Sequence, residues 1–507
     1  MNDAGRGGPP PAGDGEATLT VPVRYRIAPL LVLVVFALVP VVGLTALLLW
    51  SDDQADAHEA ADAQRTETVA PIGDPAPALT TTIIDYRRAP AALSVIGADN
   101  ELTAAMEQLA AFVDAQSCLA VSVDGRGVGS WNGDVPVIPA STNKLLVAGA
   151  AIEILGADHR FTTSVAAPPA VEGVVDGDVY LVGGGDPLLV ATDFPLEDDP
   201  PDPAATTPLD VLADELVASG ITSIRGGVVG DASRYDDQYV NPAWGGGDAY
   251  VEVGPIGGLV VNDGQVLGRA GRQRDPGEAA AREFVRLLRD RGVEVANGWS
   301  SGELDTGAQV IATVDSEPLA TVVADMLTRS DNDTAEMLLE ELGFTAAGEG
   351  SSDAGLRVLE LTVESWGVPM DGVVIVDGSG LSPDNRLTCD TLVAVLDHLA
   401  DGSVPEGLAV AGRSGTLIDE FLGTAVEGRL AAKTGTLRNP PPDADPPEVK
   451  ALAGYLTAPN GDLLEFALVL NGAGFVTGDG YLPYWGALAE RLAAHPAGPD
   501  PNALGPR

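Results

Sequence analysis

Lysine is nearly missing from this 507-residue chain: only Lys144, Lys433 and Lys450 stand among its 28 basic residues. Acid dominates, with 74 Asp and Glu and a formal charge of −46. That balance excludes nucleic acid as a partner, because a phosphate backbone needs a basic face to neutralise it. The acids are spread along the chain and read as a soluble, self-repelling surface. Histidine is almost as scarce, at 58, 159, 398 and 495 only. His58 falls in a stalk-like segment and His495 near the end, so a Ser-His-Asp site would have to recruit His159 or His398. No G-x-S-x-G elbow and no H-E-x-x-H pair occurs, and no two carboxylates stand out as a glycosidase pair. His398, within Leu392 to Leu399, reads as a helix-surface or satisfied core residue. Cysteine is limited to Cys118 and Cys389, neither with a His or second Cys at metal spacing, which argues against a zinc site.

Uncharged runs are rare, but one is long. Ile27 to Trp50 carries no charge and a single hydroxyl, Thr45. At about 1.5 Å per residue it can cross a hydrocarbon core of roughly 30 Å. Arg6, Arg24 and Arg26 precede it, while Asp52, Asp53, Asp56, Glu59 and Asp62 follow before Arg65. That bias keeps the N-terminus cytoplasmic and sends the rest outside. The expectation is a single uncleaved transmembrane helix in the cell membrane; the alternative is a signal peptide cut at an Ala-x-Ala site near residues 58–63, giving a secreted chain. Outside the cytoplasm the two cysteines meet an oxidising compartment. They form the single possible pair, Cys118–Cys389, or remain two separate buried thiols.

The expected organisation is a disordered stub (1–26), the membrane helix (27–50), a flexible Ala/Asp/Glu-rich stalk (51–82), a catalytic domain in two pieces (83–164 and 291–495) and a loose tail (496–507). Residues 165–290, with many glycines and short strand patterns at Val174-Val175, Val179 to Val182, Gly227 to Val229 and Leu259 to Asn262, read as an inserted, mainly-β sub-domain. An acidic loop runs from Pro195 to Pro208, and Gly277 to Arg291 reads as a returning helix. Leu102, Met106, Leu109, Phe112 and Val113 have helical spacing; Cys118 to Val123 is a strand, Leu145 to Leu155 a buried helix, and Leu319 to Leu342 another helical stretch. Residues 428–437, 450–457 and 464–471 are three consecutive strand patterns of an antiparallel sheet.

Two of the three lysines have chemical contexts. Lys144 closes Ser141-Thr142-Asn143-Lys144, Lys433 opens Lys433-Thr434-Gly435-Thr436, and Ser330-Asp331-Asn332 lies between; only Lys450 has no such setting. S-x-x-K, S-x-N and K-T-G in that order mark an active-serine acyl enzyme that attacks peptides or β-lactams. Guanidinium stays protonated, whereas a desolvated lysine can lose its proton and serve as base. Ser141 and Lys144, three apart on a helix, share a face. Each motif alone is weak; the ordered set in a chain with three lysines is not.

The sequence resembles the penicillin-binding protein 4 type of D-alanyl-D-alanine carboxypeptidase/endopeptidase, the low-molecular-mass class C group. The likeness rests on Pro139 to Leu145, Leu181 to Pro187, Gly230 to Tyr235, Asp377 to Ser382, Ser414 to Leu417 and Ala432 to Leu437, spanning roughly residues 115–475. It implies an α/β fold, a five-stranded antiparallel sheet flanked by helices, with an insertion after the S-x-x-K helix. It implies Ser141 as nucleophile, Lys144 as base, Ser330 as proton relay and Asn332 as holder of the substrate amide. Lys433 would give electrostatic support, Thr434 and Thr436 would engage the substrate carboxylate beside Gly435, and the backbone N–H groups of Ser141 and Thr436 would form the oxyanion hole. Peptidoglycan stem peptides would be substrates and β-lactams covalent inhibitors, with no metal or organic cofactor. The insertion is short for the family and loop 438–449 enlarges the connection beside the site. A β-lactamase using the same motifs and a non-catalytic cell-wall binding protein are the competing readings; the length between S-x-x-K and S-x-N, and the intact Ser141 and Lys144, speak against them.

Overall fold

The computed structural model describes residues 89–195, 204–244, 249–439 and 446–496. The expected stub, membrane helix, stalk and domain start at Ile83 lie outside the described residues, as do half of loop 438–449 and all but the first residue of the tail. Among the described residues no helix is long and apolar enough to cross a membrane.

Strand alternation builds the main layer. Six antiparallel strands, β1 (Cys118–Val123), β2 (Arg126–Trp131), β3 (Ala409–Val410), β4 (Leu430–Leu437), β5 (Val449–Thr457) and β6 (Leu463–Asn471), stand in the order β3-β4-β5-β6-β1-β2. The sheet thus has one strand more than the expected five, the two-residue edge strand β3. Leu119, Val121, Phe466, Leu468 and Leu452 point to one face, where helices α1 (Ala89–Ala110) and α7 (Leu482–Ala493) supply Leu102, Met106, Trp485 and Leu488. Ala120, Ala451, Ala453 and Ala467 point to the other, and their small size lets helices α2 (Lys144–Leu155) and α6 (Cys389–Leu399) lie close. Each fully buried leucine in these layers contributes about 1.5–3 kcal/mol. Phe112, expected in the first helix's apolar stripe, is 71% exposed because α1 ends at Ala110 and the chain turns away. A disulfide joins Cys118, the first residue of β1, to Cys389, the first residue of α6, with their Cα atoms 5.8 Å apart.

The helical stretch expected from Leu319 to Leu342 is broken at its middle into α3 (Leu319–Arg329) and α4 (Asn332–Ala347). Ser330 takes a left-handed backbone (φ +65°), and Asp331 caps the new helix by accepting from the Thr334 N–H. The break presents Ser330 and Asn332 as a corner rather than as one helix face.

The insertion is larger and less β-rich than expected. Its five-stranded sheet runs Trp299–Ser301, Val228–Asp231, Val179–Val182, Thr162–Ala167, Gln309–Asp315, so it reaches from 162 to 315 rather than 165 to 290. Helices Asp210–Ala218 and Pro276–Asp290 cover a core of its own around Phe284, Leu212 and Leu181. The closing strand pairs antiparallel with the opening one, a long-range ladder with no local signature. Leu259 to Asn262 forms no strand and instead leads into a 3-10 turn at Asn262–Gly264.

Candidate active site

Ser141 sits in a 3-10 turn, Ala140–Asn143, that runs directly into α2. Local bonds fix the turn: Thr142 Oγ1 donates to the Pro139 carbonyl, and Asn143 Nδ2 donates to the carbonyls of Asp377 and Gly378. Gly380 is required here, since a Cβ at its φ of +80° would lie 2.0 Å from the Ala140 carbonyl oxygen. Gly435 is required for packing: β4 crosses the turn so closely that a Cβ would meet the Pro139 carbonyl at 2.9 Å.

Lys144, the first residue of α2, is fully buried. Its Nζ lies 2.9 Å from Ser141 Oγ, 2.7 Å from Asn332 Oδ1 and 2.7 Å from the Ser379 carbonyl oxygen. Three acceptors match the three N–H bonds of an ammonium. In the neutral amine two N–H bonds suffice for Asn332 and Ser379, and the lone pair is left for the Ser141 hydroxyl. Burial brings Lys144 down to about 8, against the opposing pull of Asp331, Glu336, Asp377 and Asp333.

Lys433 is also fully buried and donates to Ser330 Oγ at 2.7 Å and to the Thr434 carbonyl at 2.9 Å. Burial, then the charges of Lys144 and Lys450, push it well below the usual lysine range. Thr434 Oγ1 donates to Thr416 Oγ1 at 2.8 Å, while Thr436 is exposed. Beyond Ala432 the outer side of β4 has no strand partner among the described residues, because β3 pairs only with Ala431 and Ala432. Backbone from Lys433 to Leu437 therefore offers an open edge to an extended peptide. Among the described residues no three His, Cys, Asp or Glu are grouped to hold a metal ion.

The five catalytic candidates are thus brought into two linked contacts, Ser141–Lys144–Asn332 and Ser330–Lys433. Several participants had no role assigned from the sequence, although Ser379 lies in the Asp377 to Ser382 segment that carries the resemblance. The Ser379 carbonyl holds Lys144, and Glu336 holds that segment by accepting from the N–H groups of Gly378 and Ser379. Burial, then Asp377, raises Glu336 to about 7. From the insertion, the Glu252 carbonyl accepts from Asn332 Nδ2 at 2.8 Å, Gly254 N–H donates to Asp333, and Arg272 pairs with Asp333 at 2.7 Å. Burial pushes Asp333 up, to about 8, while Arg272 and the Gly254 N–H pull it toward the ionised form. A cavity of about 640 Å³, walled by Asp325, Arg329 and Asp331 on one side and Asn262 and Arg272 on the other, adjoins this corner.

The D-Ala-D-Ala carboxypeptidase 3 (S13) family model matches residues 98–280 and 257–480. A D-alanyl-D-alanine carboxypeptidase of Actinomadura sp. (strain R39) is 31% identical, over 73% of this chain and 79% of that one. A carboxypeptidase of Mycobacterium tuberculosis is 32% identical, over 67% of this chain and 72% of its own. In fold, the chain is similar to the crystal structure of penicillin binding protein 4 (dacB) from Haemophilus influenzae, with a TM-score of 0.61 at 21% identity, covering 72% of this chain and 93% of that one.

Proposed function

This chain belongs to the D-Ala-D-Ala carboxypeptidase 3 (S13) family and is a serine-type carboxypeptidase of that specificity; we propose that it works through an acyl-enzyme on Ser141. The observation that carries the proposal is the 2.9 Å contact between the serine hydroxyl and a buried lysine held near 8.

Neutral Lys144 takes the Ser141 proton as Oγ attacks the carbonyl carbon of the penultimate D-alanine. The new oxyanion faces the backbone N–H groups of Ser141 and Thr436. Ser330 passes a proton to the departing amine, the C–N bond breaks, and D-alanine leaves. Lys433, bonded to Ser330 Oγ, steadies that hydroxyl and favours its transient negative charge. Asn332 has one N–H committed to Glu252 and one left for the substrate amide carbonyl. Thr436, and Thr434 with its hydroxyl turned from Thr416, take the terminal carboxylate. Water then attacks the ester, Lys144 again acting as base, and the shortened stem peptide departs. A β-lactam follows the same first step and stays attached as the penicilloyl ester; one of the similar solved structures is a β-lactam complex of the Haemophilus protein.

The Ile27 to Trp50 run anchors the chain with its catalytic part outside the membrane, a reading supported by the arginines before it and the acids after it. Carbonate-resistant sedimentation with membranes tests that placement, and a mature chain starting near residue 63 would replace it with secretion. The chemistry is tested by intact mass of the full chain after penicillin. One adduct is expected, absent in Ser141→Ala; an adduct that survives the substitution would show that another residue is the nucleophile.

A further inference from the structure

Lys450, the lysine without a motif, is brought into the same site as the other two. Its position on β5 is paired in register with Thr436 on β4, so both side chains leave the same face of the sheet. Its Nζ donates to Thr436 Oγ1 at 3.1 Å. Its Nζ lies 4.5 Å from the ring centroid of Tyr481, the residue that caps α7, and 5.0 Å from that of Trp485 within it. Such a perch holds a cation in place without spending its hydrogen bonds. Tyr481 is itself fixed by donating to Glu420 at 2.7 Å.

We propose that Lys450 is a specificity residue that recognises the α-carboxylate of the leaving amino acid, reaching it beside Thr436. The inference rests on the assignment of Thr434 and Thr436 to that carboxylate. Those hydroxyls are neutral; a carboxylate bound by them alone gives up its water for two weak donors. An ammonium already touching Thr436 supplies the missing charge and leaves at least one further N–H free for a carboxylate oxygen, since Thr436 uses only one of three. The other two lysines are occupied with Ser141 and Ser330. A division of labour among the three follows: Lys144 moves the proton, Lys433 holds the relay serine, and Lys450 reads the charge that distinguishes an α-carboxylate from a neutral end. The same charge accompanies the leaving residue of a D-Ala cross-link that keeps its α-carboxylate, so both kinds of bond remain substrates.

The test compares an Nα-acylated D-Ala-D-Ala dipeptide with its C-terminal carboxamide on the full chain, with Lys450→Met and Lys450→Arg as variants. The wild type should favour the free acid. Lys450→Met should lose about ten- to a hundredfold of kcat/KM on the acid, mostly through KM, and little on the amide. Lys450→Arg should restore most of the preference. Equal losses on both substrates would overturn the proposal and leave Lys450 a structural prop over α7. An unchanged acid-to-amide ratio would overturn it too. Penicillin labelling of Ser141 in the same samples separates this from the reading beneath it: labelled enzyme with an unchanged ratio sinks only the Lys450 assignment, whereas a wild type that takes no label sinks the acyl-enzyme itself.

Discussion

Lys144 Nζ and Asn332 Oδ1 lie 2.7 Å apart although 188 residues separate them in the chain. The bond ties the serine turn to the corner between α3 and α4, and it fixes which way the Asn332 amide faces. Oδ1 is committed to lysine, so Nδ2 must face the insertion and the substrate.

Acylation should follow the deprotonation of Lys144. The ammonium cannot accept the Ser141 proton, so the rate of penicillin labelling should rise with pH, reach half its plateau near the lysine's value of about 8, and flatten above it. Two units lower it should run at about one hundredth of the plateau. The same depression means that folding favours loss of this proton; its stability contribution grows as pH climbs from about 8 toward the ordinary lysine value of 10.5. A rate that falls with pH across this interval contradicts the assignment of base.

Lys144→Arg keeps a long cation but removes the base. Labelling should drop by about a hundred- to ten-thousand-fold, the usual worth of general-base catalysis, with the folded state retained by circular dichroism. Residual activity within tenfold of wild type means the proton goes elsewhere.

Glu336→Gln removes a carboxylate that holds the Lys144 proton more tightly. The half-plateau pH of labelling should therefore move down, by a fraction of a unit, in a chain that still melts cooperatively. Glutamine can keep one of the two bonds to Gly378 and Ser379 through its carbonyl oxygen. An unmoved half-plateau would mean that the carboxylate is protonated in the working enzyme.

Arg272→Met leaves Asp333 buried beside Asp331 without its guanidinium. Breaking a buried pair on one side costs about 3–5 kcal/mol, visible as a lower denaturation midpoint in urea. Because the Gly254 loop also holds Asn332 through Glu252, labelling should slow as well. Replacement of both partners, Arg272→Met with Asp333→Leu, should recover part of the stability.

Cys118→Ala with Cys389→Ala opens a bridge between residues 271 apart. The expected loss is about 2–5 kcal/mol, read as a lower melting temperature. Labelling at low temperature should persist, because neither cysteine touches Ser141 or Lys144 in the described contacts.

The motifs were legible because their chemistry is local: S-x-x-K is one turn of helix, and K-T-G is one strand. Strands β1, β4, β5 and β6 were legible as short, largely apolar strand patterns, within two residues at their ends. What escaped reading was non-local. Lys450 has no motif because its meaning comes from register with Thr436, set across the loop that begins at Arg438. The break at Ser330 is a left-handed residue in the polar run Thr328 to Thr334 between two apolar stretches, and Asp331, a good cap ahead of Thr334, marks where the second helix starts. Ser379 and Glu252 act through main-chain carbonyls, for which side-chain identity carries no signal. The end of the insertion was misplaced because Gln309–Asp315 pairs with Thr162–Ala167, and nothing within either segment names the other.

That ladder has a consequence for how the molecule tolerates change. The chain departs for the insertion at Thr162 and comes home at Asp315, residues that face each other across neighbouring strands. Seen from the catalytic layer, everything between is a hairpin. Elements can be added to or trimmed from its far end without altering the distance the layer must bridge, so the size of this appendage is free to drift while the stretch near Glu252 and Gly254 stays bound to its catalytic corner.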